Sequence, residues 1–443
     1  MSVQLKNKIA RMRSVVRECN PVRKAGQVVS KIGIILEVEG LDCSVGDLCL
    51  IDRGGSQPPV RAEVTGFRDD RLLLIPYDRM DGIGEGLDVY PAGGALDIPP
   101  GEMLLGRVVD GTGKPQDDLG NISTDINIPV NNLAPLPLRR RPITEPLETG
   151  IKVVDSILTC GRGQRMGVFS GSGLGKSVLL GMMCRNADSD VNVIALIGER
   201  GREVREFVRD TLGPEGIRKS VVIAATSDRS AVERIKGVEV AVSVAEYFRD
   251  RGKDVLLILD SLTRYAMAQR EVGLAIGEPP TARGYTPSVF SNLARILERA
   301  GNGERGSITG IYSVLVEGDD VSADPLTDAI RAILDGHIIL SRKMANSACY
   351  PAVDILTSIS RLAPQLLNDE QKRRREKVLE WYGRYRESED LINIGAYKKG
   401  TNPEVDTAIE KYRVLRDFFR QDIDSSFSMG ETERQLSGIV EGE

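Results

Sequence analysis

The strongest constraint on the fold is an eight-residue segment, SGSGLGKS, at positions 170–177. It follows a short apolar stretch typical of a buried strand, MGVF at 166–169, and it precedes a helical pattern that begins at Val178. Its glycines let the backbone N–H groups point inward, and the positive end of the following helix lies beside them. This strand–turn–helix order predicts a phosphate-binding P-loop within an α/β domain.

The residues of this segment have distinct expected tasks. The loop backbone is predicted to cradle the phosphates of ATP, the Lys176 ammonium to reach the β- and γ-phosphates, and the Ser177 hydroxyl to ligate Mg²⁺. Ser170 stands where the usual pattern has glycine, and a small residue keeps the turn. The predicted nucleotide-binding residues of the loop are Gly171, Ser172, Gly173, Leu174, Gly175, Lys176, Ser177 and Val178.

Two carboxylates are expected beside the phosphates. Asp260 ends the apolar stretch VLLIL, and Glu199 follows the stretch VIALIG. Ligands of α/β sheets bind at the carboxyl ends of parallel strands, so both side chains are predicted to lie there. Asp260 is interpreted as the Mg²⁺ carboxylate, although alone it could cap the next helix. Spacing leaves Glu199 and Glu203 as competing candidates for activating water, since either could simply pair with a nearby arginine.

The pattern before the P-loop indicates two further regions. Leu5, Ile9, Met12 and Val16 recur at helical spacing among basic residues, which predicts an amphipathic helix over residues 1–20. This helix could bind a partner or pack on its own barrel. Short strand-like stretches separated by glycine and aspartate then predict a small β-barrel or sandwich over residues 21–93.

The remaining chain is predicted to form two more domains. Residues 94–368 begin with a Pro- and Gly-rich connection and continue with buried-type strands that alternate with helices, as in a parallel sheet covered on both faces. The expected strands are 165–169, 191–197, 221–225, 255–259, 309–315 and 337–340. Residues 369–443 are charged and helical in pattern, which predicts an α-helical domain with a disordered polar tail.

Composition excludes several other classes of protein. The net charge of −5 provides no chain-wide basic field for nucleic acid. Every apolar stretch is far shorter than the ~20 residues that span a bilayer, and the N-terminus lacks a secretory pattern. Six scattered cysteines predict reduced thiols of a cytosolic protein. His337 is the single histidine and is expected to be structural, which argues against histidine-based metal or triad chemistry.

Several blocks of the sequence resemble the superfamily of rotary ATP synthases and type III export ATPases. They are GRGQRMGVFSGSGLGKS at 161–177, LDSLTRYA at 259–266, YPAVDILTSISR at 350–361 and GRVVDGTGKP at 106–115. The resemblance covers nearly the whole chain and is closest to the flagellum-specific export ATPases, with virulence-type ATPases sharing much of it. It implies an N-terminal β-barrel, a central RecA-like P-loop domain and a C-terminal helical domain.

The resemblance also implies roles that periodicity leaves unassigned. Glu199 matches the catalytic glutamate, Arg200 an arginine that pairs near the site, and Arg264 an arginine of the motif after the Mg²⁺ carboxylate. Tyr350 matches the aromatic ring that stacks on adenine. Arg361 matches the arginine finger, which enters the neighbouring subunit's site to neutralise charge in the transition state. Without the resemblance, Tyr350 would be interpreted as packing and Arg361 as a surface charge.

An arginine that acts in trans places each site between subunits, so the resemblance implies a homohexameric ring whose pore faces residues 271–285. The implied partners are a stator-like regulatory protein at the N-terminal helix, export chaperones and their substrates, and the membrane export gate, with no nucleic acid. The implied location is cytoplasmic, peripheral at the export apparatus on the inner face of the membrane.

The expected activity is Mg²⁺-dependent ATP hydrolysis that energises type III export of flagellar proteins. The alternatives are an injectisome ATPase, an F-type synthase catalytic subunit, an RNA translocase, or a nucleotide-binding subunit without turnover. Glu199 argues against the last, because binding alone needs no base.

Overall fold

The computed structural model describes residues 24–55, 57–316 and 324–442. Its contacts divide the chain into two compact units, Met1–Leu96 and Asp97–Glu443. The predicted amphipathic helix over residues 1–20 lies outside the described residues.

Six strands of the first unit close into a barrel, in the order β1-β2-β5-β4-β3-β6. Their bounds are β1 Gly26–Ile32, β2 Ile35–Glu39, β3 Leu48–Ile51, β4 Val60–Arg68, β5 Arg71–Pro76 and β6 Asp88–Pro91. Side chains alternate along each strand, so Leu36, Val38, Val64 and Leu74 fill the interior with no exposed surface. The barrel interpretation is confirmed.

The second unit is built on a sheet of order β17-β16-β10-β15-β13-β11-β12-β8, with β14 pairing with β15 outside this path. The strands of this unit are β7 Asp97–Ile98, β8 Val108–Val109, β9 Ile128–Pro129, β10 Arg165–Ser170, β11 Val191–Ile197, β12 Ser220–Ala225, β13 Asp254–Asp260, β14 Gly301–Asn302, β15 Ser307–Leu315, β16 Gly336–Ile339 and β17 Ile359–Ser360. β7 and β9 pair with each other in a separate two-stranded sheet. From β16 to β8 neighbouring strands run parallel, and β17 is antiparallel to β16. All six strands predicted here are present, because buried parallel strands carry continuous apolar stretches.

Helices follow most of these strands. The α-helices are α1 Gly101–Leu104, α2 Lys152–Ile157, α3 Lys176–Asn186, α4 Gly201–Glu206, α5 Gly213–Arg218, α6 Ala231–Arg249, α7 Leu262–Ile276, α8 Pro287–Glu298, α9 Pro325–Ile333, α10 Arg342–Asn346, α11 Ala363–Leu366, α12 Asp369–Asn393, α13 Pro403–Phe419 and α14 Met429–Glu441. A π-helical turn, Phe207–Leu212, joins α4 to α5. Within the described residues, no helix is both long enough and apolar enough to cross a bilayer.

The three C-terminal helices share one hydrophobic core with the central sheet. Tyr382 of α12, Leu415 of α13 and Leu436 of α14 belong to the same buried cluster as Ile151 before α2. The prediction of a disordered tail is therefore wrong for the described residues up to 442. Leu436 and Val440 lie one helical turn apart and are buried, so α14 has an apolar stripe despite its polar composition. A capping box of Ser428 and Glu431 fixes its start.

His337 occupies a structural position. Its ring packs edge-to-face on Phe169 with 5.9 Å between centroids, and its Nε2 lies 3.1 Å from the carbonyl oxygen of Thr357. Burial lowers the pKa of this imidazole below its ordinary value, with help from the nearby Arg331 charge.

The shared core generates a prediction about stability. We expect Leu436→Ala to lower the free energy of unfolding by about 2–5 kcal/mol, because a fully buried leucine leaves a cavity when it is truncated. The matched control is Leu391→Ala on α12, since Leu391 is 51 % exposed and should tolerate truncation. Denaturant titration followed by far-UV circular dichroism measures both. Equal effects from the two variants would contradict the shared core.

Candidate functional site

The P-loop connects β10 to α3. β10 ends at Ser170 and α3 starts at Lys176, with Gly175 as its N-terminal cap. Gly173 and Gly175 have φ values of 78° and 87°, in the left-handed region that favours glycine. The first-turn N–H groups of α3 have no acceptor within their own helix, so they can bind an anion.

A buried ion pair joins the loop to the sheet. Lys176 Nζ donates to Asp260 Oδ1, and it also donates to Ser313 Oγ at 3.3 Å. Ser313 Oγ donates in turn to Asp260 Oδ1 at 2.6 Å. Ser313 lies on β15, between the P-loop strand β10 and the Asp260 strand β13. The three residues therefore form a network at the carboxyl edge of the sheet, where the phosphate site was predicted.

Glu199 enters the same edge from β11, the other neighbour of β13. Burial raises the pKa of its carboxyl to about 7, and the Asp260 charge adds to this rise. The Lys176 and Arg264 cations act in the opposite direction. Its Oε1 is buried and has no hydrogen-bond partner within the described part of the chain. A buried carboxylate with an open oxygen and a pKa near neutrality is suited to accept a proton.

The competing glutamate, Glu203, is more exposed, and its hydrogen bond to the Glu199 carboxyl also raises the pKa of Glu199. Glu203 pairs with Arg200 at 3.3 Å, and its side chain is 38 % exposed. Arg200 itself is 77 % exposed, so this pair lies at the surface beside Glu199. Arg264, in the first turn of α7, packs closely against Gly198. A Cβ added to Gly198 would lie 2.9 Å from the Cβ of Arg264. The Arg264 Nε is buried without a hydrogen-bond partner among the described residues.

An open cavity of about 590 Å³ lies beside the P-loop. Its walls include Gly175 and Val178 of the loop region, the ring of Tyr350, and the chain segment 421–424. Tyr350 ring carbons lie 3.7 Å from the place that a Cβ on Gly175 would occupy. The cavity thus places an aromatic ring next to the P-loop, in a space large enough for a nucleoside base.

Arg361 is not part of this cluster. It follows β17 directly and is exposed, with its Nη2 donating to the carbonyl oxygen of Arg331 at 3.3 Å. Ser360 pairs with Gly336, at the amino end of β16, whereas the P-loop leaves the carboxyl end of the adjacent parallel β10. Arg361 and Lys176 therefore lie at opposite edges of one sheet.

The residues predicted to hold Mg²⁺ fit that ion. Mg²⁺ keeps several waters and is usually bound by one or two carboxylates together with substrate phosphates. Asp260 provides a carboxylate at the sheet edge, and Ser177 provides an exposed hydroxyl in the first turn of α3. No group of three or more His, Cys, Asp or Glu side chains in the described ranges could hold a metal by itself.

Comparisons with known proteins match this arrangement over most of the chain. Models of the ATP synthase alpha/beta family match residues 28–93 as its beta-barrel domain and 150–360 as its nucleotide-binding domain. A model of the T3SS EscN ATPase C-terminal domain matches residues 367–438. The chain is 47 % identical to the flagellum-specific ATP synthase of Pseudomonas aeruginosa, over 94 % of this chain and 93 % of that protein.

The chain belongs to the ATP synthase alpha/beta family. Within this family it falls among the flagellum-specific and type III secretion ATPases and is an ATPase of that group. The type 3 secretion system ATPase of Xanthomonas euvesicatoria is 46 % identical over 95 % of both chains. The solved structure of the assembled ATPase EscN from enteropathogenic E. coli has a TM-score of 0.88 and 41 % identity, and the match covers 94 % of this chain and 100 % of that one.

Three side chains near the P-loop and the cavity beside it were not predicted from the sequence. Ser313 bridges the Lys176–Asp260 pair, and the only signal for it is a hydroxyl inside the apolar strand GIYSVL. Arg342 Nη2 lies 3.3 Å from where a Cβ on Gly171 would sit. Gln421 lines the cavity beside Tyr350, although it is remote in sequence from both motifs.

The Glu199 environment predicts a pH dependence. We expect kcat/KM for ATP hydrolysis to fall as the pH decreases below about 7, since a base with its pKa raised to about 7 is protonated and inactive there. Glu199→Gln should lower kcat by about 100-fold or more, because it cannot accept a proton. Steady-state rates between pH 5.5 and 9 measure both effects.

The control is Glu206→Gln, which removes a carboxylate at the end of the next helix. Glu206 is half-exposed and pairs with Arg202 at 3.7 Å, so this variant should keep both the rate and the pH profile. Full turnover by Glu199→Gln would show that another group activates water.

Proposed function

We propose that the chain is the ATPase of a flagellar type III export system and works as a homohexameric ring. The observation that carries this proposal is that one chain contains every residue type that the proposed site needs. It has the P-loop lysine, the strand-end aspartate, a buried glutamate with raised pKa, and an exposed arginine at the opposite edge of the sheet. One subunit type can therefore complete every site of a closed ring.

Each residue has a physical task in hydrolysis. The P-loop amides and Lys176 bind the phosphates, and Lys176 can exchange the Asp260 carboxylate for phosphate oxygens of similar charge. Asp260 and Ser177 would hold Mg²⁺, which neutralises charge on the phosphates when it is bound. Glu199 orients the attacking water and accepts its proton through the open Oε1.

We assign Arg361 the finger role that the resemblance implies, and its position in the sheet supports this assignment. Met166 of β10 lies opposite Gly336 of β16. Gly336 pairs in turn with Ser360, the residue before Arg361. From there to the end of β10 the sheet extends on the order of 13 Å, at roughly 3.3 Å per residue. The arginine lies at the end of the sheet opposite its own P-loop, so we assign it to the site of a neighbouring subunit, where it stabilises transition-state charge.

Assembly and export partners are inferred from the relatives. EscN has been solved in assembled form and also in complex with its central stalk EscO, at 40 % identity to this chain and a TM-score of 0.86. We infer a ring that binds a comparable stalk. A stator-like regulator at residues 1–20, export chaperones with their substrates, and a peripheral location at a membrane export gate complete the proposal. Flagellum-specific relatives in Pseudomonas, Salmonella and Bacillus, at 47 %, 48 % and 45 % identity, favour flagellar cargo.

Mixing two inactive variants tests the shared site. Lys176→Ala and Arg361→Ala should each abolish turnover alone. In rings assembled from an equal mixture, about a quarter of the interfaces combine an intact P-loop with an intact arginine, as random placement in a closed ring requires. We expect partial recovery of ATPase activity, measured by phosphate release after mixing.

The control mixture combines Lys176→Ala with Glu199→Gln, which damages the same side of the interface in both subunits and should recover nothing. Specific activity of the unmutated protein should also rise with protein concentration. Absence of recovery in the first mixture, with rings present by light scattering, would place Arg361 outside the neighbouring site.

The flagellar assignment has its own test. Deletion of the gene in the organism that encodes this chain should eliminate flagellar filaments and swimming. The unmutated chain should restore both, and Lys176→Ala should not. Normal filaments in the deletion strain, together with loss of another secreted protein set, would favour the injectisome alternative.

A further inference from the structure

Ser313 is a buried hydroxyl at the carboxyl edge of the sheet. It belongs to β15 and has no exposed surface. On one side it pairs with Val168 of the P-loop strand β10, and on the other side the register of β15 with β13 places it beside Asp260. A buried hydroxyl destabilises the fold unless it is hydrogen-bonded, so its partners show what the serine does at this position.

Both partners of the hydroxyl are residues of the phosphate site. Ser313 Oγ accepts from Lys176 Nζ at 3.3 Å and donates to Asp260 Oδ1 at 2.6 Å. The chemistry of the partners fixes the direction of these two bonds, because an ammonium can only donate and an ionised carboxylate can only accept. The single hydroxyl hydrogen of Ser313 is therefore committed to Asp260.

The end of β15 is held against the segment that follows Asp260. The backbone N–H of Leu315 donates to Thr263 Oγ1 at 2.9 Å, and Thr263 lies in the first turn of α7. The short side chain of Ser313 is thus fixed on a buried strand, whereas the Lys176 ammonium sits at the end of a flexible four-carbon chain. Of the two donors to Asp260, the serine is the one that can stay in place.

The two donors have different fates in the proposed function. Lys176 leaves Asp260 when it binds the phosphate oxygens, whereas Ser313 keeps its bond. Both hydrogen bonds that Asp260 accepts from described side chains fall on Oδ1. The serine would therefore hold Oδ1 of a carboxylate that is only 3 % exposed, while Oδ2 can serve another ligand.

We propose that Ser313 is the positioning residue of the Mg²⁺ carboxylate. Its hydroxyl holds Asp260 Oδ1 once Lys176 has moved to the phosphates, so that Oδ2 can bind Mg²⁺ or one of its waters. The inference rests on the proposed function, in which Asp260 and Ser177 hold Mg²⁺. Ser313 acts through Asp260, in the way that hydrogen bonds from outer residues fix the orientation of metal ligands.

The inference requires a hydroxyl at position 313. Ser313→Ala removes the donor, so Asp260 depends on Lys176 alone and loses both donors when the lysine moves. A buried carboxylate without donors is strongly destabilised. Ser313→Thr keeps the hydroxyl, and its branched side chain suits a strand.

The same two strands provide a matched control at the opposite edge of the sheet. Ser307 Oγ donates to Asp254 Oδ1 at 2.6 Å, and Asp254 Oδ2 accepts from Arg162 at 3.2 Å. Ser307 is 2 % exposed and lies opposite Asp254 at the start of β15. This trio repeats the arrangement of cation, carboxylate and serine at the edge that does not carry the P-loop.

The test measures nucleotide binding without turnover. A fluorescent ADP analogue is titrated into the full chain in EDTA and at increasing Mg²⁺ concentrations, which gives the Mg²⁺ concentration at half-maximal strengthening of binding. We expect Ser313→Ala to raise this concentration by about tenfold, because loss of a hydrogen bond to a metal ligand weakens metal binding by this order. Binding in EDTA should change by less than about threefold, since the loop amides and Lys176 bind the phosphates without Ser313.

Two further variants show whether the hydroxyl itself is responsible. Ser313→Thr should keep the Mg²⁺ dependence of the unmutated chain. Ser307→Ala should lower the melting temperature about as much as Ser313→Ala does, yet leave the Mg²⁺ dependence unchanged. An unchanged Mg²⁺ dependence in Ser313→Ala would overturn the inference. Equal losses in Ser313→Thr and Ser313→Ala would also overturn it, because packing and not the hydroxyl would then be decisive.

Asp260→Asn separates this inference from the proposed function. Loss of the Mg²⁺ dependence in Asp260→Asn, combined with a normal dependence in Ser313→Ala, would reject only the positioning role. A normal dependence in Asp260→Asn would instead reject Asp260 as the Mg²⁺ carboxylate, and the role of Ser313 would be rejected with it.

Discussion

The chemistry at the site depends on the register of four parallel strands. Leu259 of β13 lies opposite Tyr312 of β15, which places Asp260 beside Ser313, and Leu196 of β11 lies opposite Asp260. A slip of one residue would turn each of these side chains to the other face of the sheet. Since both faces are buried, the sheet has one register, and the carboxylates and the P-loop lysine meet within a single network.

The Lys176–Asp260 pair at the centre of this network is a poor choice for stability alone. The desolvation of two buried charges offsets much of the free energy of their attraction. Removing one partner leaves an uncompensated buried charge, which destabilises the fold by about 3–5 kcal/mol. In the proposed function, the pair holds the lysine beside a carboxylate until phosphate oxygens replace that carboxylate as its partner. Burial, which destabilises the charged pair, also raises the pKa of Glu199 to about 7, where its carboxyl can exchange a proton near neutral pH.

The C-terminal helices link the site to the rest of the second unit. Their apolar residues join the core under the sheet, and the turn after α13 forms one wall of the cavity. A movement of this helical region would therefore change the shape of the cavity beside the P-loop. That linkage provides a physical route between nucleotide binding and any partner that engages the C-terminal domain.

The sequence by itself determined the local features. Glycines at 173 and 175, the lysine that follows them and the continuous apolar strands are written in consecutive residues, so the P-loop and the six sheet strands could be predicted without a structure. The resemblance added Tyr350 and Arg361, which carry no periodic signal. The disordered tail predicted at the C-terminus is instead a helix over residues 429–441. Its apolar stripe is narrow, so its composition is polar, and the surface that it packs on is not visible in the sequence.

Only the tertiary structure decided which distant residues share a site. It separated Glu199 from Glu203 by burial, placed Ser313 between lysine and aspartate, brought Gln421 to Tyr350, and put Arg361 at the far edge of the sheet from Lys176. Burial, desolvation and strand order are properties of the packed chain. A sequence pattern records what each segment can form, whereas these contacts depend on which segments become neighbours.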